Sequence, residues 1–157
     1  MIGNRQISLK KRALAGALAG LVGGVAHAFV NEIDRSVFRY DSDDMVLVTG
    51  MFVSDRSTAR KLGFALHLGF AMAFGVGYAV VLNPRDTDAV VRGIGAGLAE
   101  NAILWPLVAP LDRHHPYIRA ERIDKFNHPI ALVQANARHI ALGYGIGKSY
   151  HFILKRL

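Results

Sequence analysis

A chain of 157 residues, of which 52% are hydrophobic and 16 are glycine, is too apolar and too rich in glycine for an ordinary soluble domain of this size. It contains no cysteine, which excludes disulfides and thiolate metal sites. The formal net charge of +7 would indicate nucleic acid in a soluble protein, but here the basic residues cluster at the ends of apolar segments without an aromatic and basic groove, so we expect no nucleic-acid partner.

The apolar residues lie in four stretches separated by polar connections. Crossing the hydrocarbon core of a bilayer takes roughly 20 residues at 1.5 Å each, and each stretch reaches that length if a few internal polar residues are accepted. We therefore predict an all-α integral membrane four-helix bundle that forms one domain over residues 1–157, with spans at about 12–31, 60–82, 89–111 and 129–153.

The first span follows a basic cluster formed by Arg5, Lys10, Lys11 and Arg12. A basic segment before an apolar run also resembles a signal peptide, but the three further spans favour a retained helix. The four spans predict a multi-pass protein of the cell (cytoplasmic) membrane. Because basic residues favour the cytoplasmic side, the basic cluster places the amino terminus there. The amino and carboxy termini should both be cytoplasmic, since four spans return the chain to the side on which it starts.

The two longer connections, at residues 31–58 and 112–128, are expected to face outward. The apolar run at 45–53 is too short to cross a bilayer, so it should lie on the membrane surface or enter it partly. Within the third span, Trp105 and Pro106 predict a kink near its outer end. In the second connection, Asp112, His114 and His115 lack the arrangement of a metal site and are interpreted as solvated loop residues.

The second and fourth spans share a pattern of histidine, a small residue four positions later, glycine eight later and tyrosine eleven later, beginning at His67 and His139. The first and third spans match when Gly16 and Gly20 are aligned with Gly93 and Gly97. These matches predict a duplicated helical hairpin. Both copies would run in the same sense across the membrane, so a pseudo-two-fold axis along the membrane normal should relate them.

Small residues three or four positions apart form smooth stripes on the predicted helices. In lipid such stripes stabilise a bundle because they let helix backbones approach closely. The residues assigned to this helix packing are Gly16, Gly20, Gly24, Gly75, Gly93, Gly97, Gly143 and Gly147.

Several polar side chains interrupt the spans, at depths that should converge in the outer half of the bundle. Within hydrocarbon such groups must be paired or must line a cavity. We predict an ion pair between Glu100 and Arg138, with His67 and His139 close to it. The full predicted cluster is Glu100, Arg138, His67, His139, His27, Asn101, Gln134 and Asn136.

The histidines leave several roles open. No cofactor is predicted, but His67 and His139 could serve as axial ligands of a haem or as metal ligands together with Glu100. A histidine beside a glutamate could also carry protons, whereas hydrogen bonding to the backbone would be purely structural.

The sequence resembles a family of small, functionally uncharacterised bacterial membrane proteins. The resemblance runs from about Asp34 to Tyr150. It rests on the motifs Ala65-Leu66-His67-Leu68 with Phe74-Gly75 and Tyr78, Ala99-Glu100-Asn101 with Leu104-Trp105-Pro106-Leu107, Asp112-Arg113 with His115-Pro116, and Gln134 with Arg138-His139 and Gly143. It implies a multi-span helical protein of the bacterial inner membrane and carries no activity.

For function, we expect a non-enzymatic structural or accessory subunit of a membrane assembly. Its partners would be the lipid bilayer together with further copies of itself or a larger membrane protein complex. The alternative is a membrane enzyme or transporter whose outer-leaflet site, built from Glu100, Arg138, His67 and His139, binds a lipid head group or moves protons.

Overall fold

The computed structural model describes residues 7–157, and this part of the chain is helical without any β-strand. Arg5 of the basic cluster lies outside the described residues. Four helices are long: α1 (Leu9–Phe38), α3 (Arg56–Gly77), α4 (Ala89–Leu104) and α7 (Pro129–Leu154). Three are short: α2 (Asp44–Leu47), α5 (Val108–His114) and α6 (Pro116–Arg119).

Three helical segments are long and apolar enough to cross a membrane, namely Leu9–Phe38, Arg56–Leu82 and Ala89–His114. The fourth predicted span corresponds to α7, which has 26 residues but is not among these candidates. Its first half carries four strongly polar side chains, which lower its mean hydropathy: Gln134, Asn136, Arg138 and His139.

Helix α1 begins where the Ser8 hydroxyl accepts a hydrogen bond from the backbone N–H of Lys11 at 3.3 Å. It continues to Phe38, well past the predicted end at residue 31. In its last two turns, Asn31 and Arg35 bind Asp43 and Asp41 of the connection that follows, whereas Asp34 binds Arg138 of α7. Arg39 then ends the helix with a left-handed backbone, at a φ of 49°.

At its far end, α3 widens into a π-helical turn over Tyr78–Leu82. This turn frees backbone carbonyls that other helices use. The Arg12 guanidinium donates to the carbonyls of Ala79 at 2.5 Å and Val80 at 3.2 Å, and the Tyr78 hydroxyl donates to the carbonyl of Ala89. The widened turn therefore ties α3 to both α1 and α4.

The long helices pack in the order α3, α1, α7, α4. A two-fold axis that exchanged the two hairpins would require α3 to pack against α4 as α1 packs against α7. Within residues 7–157, α3 and α4 share no interface of comparable extent. The predicted pseudo-two-fold relation is therefore wrong, because the duplicated pattern describes the packing inside each hairpin and does not fix how the hairpins meet.

Inside the hairpins, the predicted glycine stripes are the contact surfaces between helices. A side chain added at Gly20 would collide with the Ala71 carbonyl, and one added at Gly16 with the Gly75 carbonyl. In the second hairpin, a side chain added at Gly93 would collide with the carbonyl of Gly143. A side chain at Gly97 would collide with the carbonyl of His139, and one at Gly147 with the carbonyl of Ala89. Gly24 lies against the side chain of Ala71. All eight glycines assigned to packing therefore lie at contacts within the chain itself.

The register of these contacts differs by one helical turn from the alignment predicted between the first and third spans. If His67 and His139 are equivalent, then Ala71 corresponds to Gly143, and their contact partners Gly20 and Gly93 correspond to each other. The pairing of Gly16 with Gly93 is therefore wrong. The same shift makes His27 correspond to Glu100.

The two long connections, at residues 31–58 and 112–128, fold together over one end of the helices. A second apolar cluster holds them there, formed by Val46, Ala59, Tyr117, Ile118, Ile123 and Phe126. The Tyr117 hydroxyl donates to the carbonyl of Val53 at 2.7 Å, and the backbone N–H of Asp41 donates to the Asp124 carboxylate at 2.6 Å. The connections thus form a cap, which we define as residues 39–55 and 115–128.

Two sequence interpretations of these connections need correction. The 45–53 run does not lie on a surface as a whole, because Val46 is fully buried beneath the cap, although Phe52 is largely exposed. His115 is not solvated either, since its Nε2 contacts the carbonyls of Val46 and Leu47 at 3.2 and 3.1 Å. Asp112 accepts the backbone N–H groups of Phe126 and Asn127, so it is a structural acceptor for the cap.

Candidate functional site

A buried ion pair between Arg138 of α7 and Asp34 of α1 forms the centre of the polar cluster. The Nε and Nη2 atoms of Arg138 donate to the two carboxylate oxygens of Asp34 at 2.7 and 2.6 Å. Its Nη1 donates to the carbonyl of Ser42 at 2.7 Å and lies 2.9 Å from a carboxylate oxygen of Asp44. Arg138 is 0% exposed and Asp34 4%, so the pair is sealed from the exterior.

Gln134 lies one turn before Arg138 and fixes the same partners. Its amide nitrogen donates to Asp34 at 3.1 Å and to the carbonyl of Tyr40 at 3.0 Å, while its amide oxygen accepts from the Ser42 hydroxyl at 2.7 Å. Each buried polar atom of these side chains thus has a partner, which is the condition under which a buried network stabilises a fold. Gln134 and Arg138 therefore attach the cap to α7.

The predicted ion pair between Glu100 and Arg138 is wrong. Successive residues of an α-helix point about 100° apart, so Arg138 faces α1 whereas His139 faces α4. Glu100 accordingly meets His139, with its Oε2 2.8 Å from the histidine Nε2. Asp34, which sequence reasoning assigned to the outer connection, takes the place that was predicted for Glu100.

The three predicted histidines do come together. The ring of His27 lies 4.3 Å from that of His67 and 5.2 Å from that of His139, measured between ring centres. The Nε2 of His67 lies 3.1 Å from the carbonyl oxygen of Gly24, and the Nε2 of His27 lies 3.5 Å from the Asp44 carboxylate. The polar groups thus form a row in the order Glu100, His139, His27 and Asp44, with His67 at its side.

The contact between Glu100 and His139 requires one proton between the two side chains. The Nδ1 of His139 lies 2.7 Å from the carbonyl oxygen of Ala135, which can only accept a hydrogen bond, so this nitrogen carries a hydrogen. Its Nε2 faces Glu100 at 2.8 Å. With a hydrogen on Nδ1 and a carboxyl oxygen facing Nε2, the pair is either an imidazolium beside a carboxylate or a neutral imidazole beside a carboxylic acid.

The remaining two predicted residues, Asn101 and Asn136, bind each other. The amide nitrogen of Asn101 donates to the amide oxygen of Asn136 at 3.1 Å. This hydrogen bond joins α4 to α7 next to the pair of Glu100 and His139. It satisfies two polar side chains at a helix interface, which is a structural role.

A second group of charges surrounds Asp43 of the cap and was not predicted. Asp43 is fully buried, and its carboxylate lies 2.8 Å from Arg60, 3.2 Å from Arg35 and 3.5 Å from Arg56. Asn31 donates to the same carboxylate at 3.1 Å and accepts the backbone N–H of Asp44 at 3.1 Å. One buried acid thus gathers three arginines from α1 and α3.

The signal for this network was present in the sequence. His27, Asn31 and Asp34 are spaced four and three residues apart, which places them on one helical face, and all three are buried on α1. Ending the first span at residue 31 hid this continuation.

The charge of Asp44 is held in place by its neighbours. Burial by itself would raise the pKa of this carboxyl, but Arg138 and His27 outweigh burial and hold the pKa below its ordinary value. Asp44 therefore stays ionised at neutral pH and extends the ion pair of Arg138 into the cap.

The contacts of His67 and His139 do not fit the haem or metal alternative. Haem ligation by His67 and His139 would require their Nε2 atoms, which already contact Gly24 and Glu100. Among residues 7–157, no group of three or more histidine, aspartate or glutamate side chains has an arrangement that could hold a metal ion.

Comparisons of the chain with protein-family models, with curated proteins and with solved structures found no match.

Proposed function

We propose that this chain is a multi-pass membrane protein in which α7 forms a fourth span, and that it serves as a structural or accessory subunit of a membrane assembly. Three apolar helices of membrane length support the location. A fourth span through α7 is supported by its polar residues, which point at α1, α4 and the cap, as intramembrane polar groups must. The resemblance to small bacterial membrane proteins is part of this proposal.

One observation favours a structural over a catalytic role most strongly. Arg138, Asp34 and Gln134 are sealed from the exterior and are fully paired. A head group or a substrate cannot reach Arg138, so this part of the cluster is not a binding site. The cluster instead fastens two spans and the cap into one body.

The surface for a partner is not the set of glycine stripes, since these are used within the chain. Helix α4 is the better candidate because, among the long helices, it packs chiefly against α7, and only 11% of the apolar stretch within Ala89–His114 is buried. Val91 and Ile103 are 74% and 73% exposed on it, and Gly95 has open space around it. These residues give α4 an apolar outer face with one close-approach position.

The test is the native mass of the protein extracted gently from its own membranes. We expect a complex larger than the monomer, formed with further copies or with another protein. The variant Gly95→Leu should reduce the amount of this complex, because it fills the outer face of α4. Gly69→Leu on α3 is the matched control, since Gly69 also has open space but lies on a different helix. A monomer under all mild conditions would overturn the accessory role.

A second function is favoured by the shared proton of Glu100 and His139. Glu100 is about one-third exposed, and the row of polar groups continues from His139 through His27 to Asp44. Such a row is typical of proton-moving membrane proteins. Vesicles carrying the protein would then dissipate a pH gradient faster than empty vesicles, and Glu100→Gln would abolish the difference. Equal rates in vesicles with and without the protein would eliminate this function.

A further inference from the structure

An open groove of about 780 Å³ lies between α1 and α3 where these helices meet the cap. Its volume is within the range of small-molecule sites, roughly 300–1,000 Å³. It is separate from the row of Glu100 and the histidines and contains none of those residues.

The groove is apolar along its length and cationic at one end. Val25, Phe29 and Phe64 form exposed apolar walls, and Ala28 and Met45 lie between them. Four cationic side chains and one acidic side chain line the cap end: Arg35, Arg56, Arg60, Lys61 and Glu32.

The cations are partly free to bind a further anion. Arg60 uses Nη2 and Nε for Glu32 and Asp43, and its Nη1 has no protein acceptor within residues 7–157. Lys61 forms no ion pair in the same part of the chain and is exposed. Asp41 pairs with Arg35 and Arg56, and Asp43 is buried behind the arginines. Among residues 7–157, Glu32 is the one carboxylate that lines the groove itself.

We propose that this groove binds an anionic phospholipid of the surrounding bilayer, with the phosphate at Arg60 and Lys61 and an acyl chain along Val25, Phe29 and Phe64. The inference rests on the proposed membrane location. Guanidinium and ammonium groups together form strong charge-assisted hydrogen bonds to phosphate oxygens. Basic pockets between membrane helices bind anionic head groups in the same way. A zwitterionic lipid would be held less tightly, because its ammonium group would meet the same cations.

The experiment measures lipid retention by native mass spectrometry of the full chain in detergent with equal amounts of phosphatidylglycerol and phosphatidylcholine. We expect preferential retention of phosphatidylglycerol. Lys61→Gln should weaken it about fivefold, as expected for one cation near a lipid surface. Lys148→Gln removes the same charge from an exposed position on α7 outside the groove and should leave retention unchanged.

A second variant tests the groove without changing its charge. Ser57 is exposed and lines the groove beside Arg56, so Ser57→Trp would obstruct the head-group end. It should also reduce phosphatidylglycerol retention, while the melting temperature in detergent stays close to that of the unmodified protein.

Three results would overturn the proposal. These are equal retention of the two lipids, equal effects of Lys61→Gln and Lys148→Gln, and displacement of the bound lipid by inorganic phosphate or by an acidic peptide at comparable concentration. The native mass of the protein complex is read from the same sample, so loss of lipid selectivity in an intact complex would overturn this site while leaving the accessory role standing.

Discussion

Arg138 and Asp34 are 104 residues apart in the sequence and meet through two parallel hydrogen bonds that nothing outside the protein can reach. A bidentate pair of this kind has strict geometry. It also couples the first long helix to the last one, so its loss should be felt throughout the molecule.

Replacing Arg138 with methionine should destabilise the protein strongly. The change keeps most of the side-chain volume but leaves the buried carboxylate of Asp34 without its counter-charge, which costs about 3–5 kcal/mol. Thermal unfolding in detergent would measure the loss. Arg113→Met removes the same charge from an exposed position and should have little effect. Equal melting temperatures for the two variants would contradict the buried pair.

A double-mutant cycle would decide which acid Arg138 pairs with. Arg138→Met combined with Asp34→Asn should show a coupling free energy of about 0.5–3 kcal/mol, because the two side chains are in direct contact. Combined with Glu100→Gln, the effects should add within about 0.5 kcal/mol. A large coupling to Glu100 would instead restore the pair that the sequence predicted.

Two glycines on α4 provide a matched test of the helix contacts. A Cβ at Gly97 would collide with the carbonyl of His139, whereas a Cβ at Gly95 would meet nothing within 4 Å. Gly97→Ala, and more strongly Gly97→Leu, should therefore separate α4 from α7 and lower the unfolding temperature. Gly95→Ala should be neutral or stabilising by up to about 1 kcal/mol through helix propensity. Similar losses for both alanine variants would show that α4 and α7 do not pack through this stripe.

The contribution of Asp44 to stability should depend on pH with a definite sign. Because its pKa is held below the ordinary value by Arg138 and His27, its stabilisation is complete above about pH 3.9. It is lost as the pH falls below that value and through the lowered pKa of the folded protein. The gap in unfolding free energy between the unmodified protein and Asp44→Asn should therefore be largest at neutral pH and shrink as the pH falls below about 3.9. A gap that widened on acidification would reverse the assigned direction.

The visible spectrum tests the remaining haem alternative. Because His67 and His139 already use their Nε2 atoms on Gly24 and Glu100, we expect purified protein to show no haem absorption band. A band that survives purification and disappears in His67→Ala would require both contacts to be broken in the loaded protein, and would contradict the arrangement described above.

Much of the architecture could be predicted from the sequence because its cause is local. Apolar stretches of membrane length indicated the long helices, and the spacing of small residues identified the contact stripes at Gly20 and Gly97. The convergence of His27, His67 and His139 followed from their depth along the spans. Each of these properties depends on one helix at a time.

The partners of the charged groups could not be predicted in the same way. Depth along a helix does not say which neighbour a side chain faces, so Arg138 and His139 were given one acid although they face different helices. The end of α1 was placed too early because Asn31 and Asp34 look like loop residues until their partners are known. The order of the four helices was equally hidden, since short connections define hairpins but not the contact between them.

The position of α7 has a consequence for how the chain is made. Translation delivers α1 and α3 first, and these can join at once through Gly20 and Ala71. Helix α4 follows, but its glycine face is complementary to α7, and Asp34 has no counter-charge until Arg138 emerges 104 residues after it. Until α7 is made, Asp34 and the glycine face of α4 therefore lack the partners that they have in the folded protein, and the last helix supplies both.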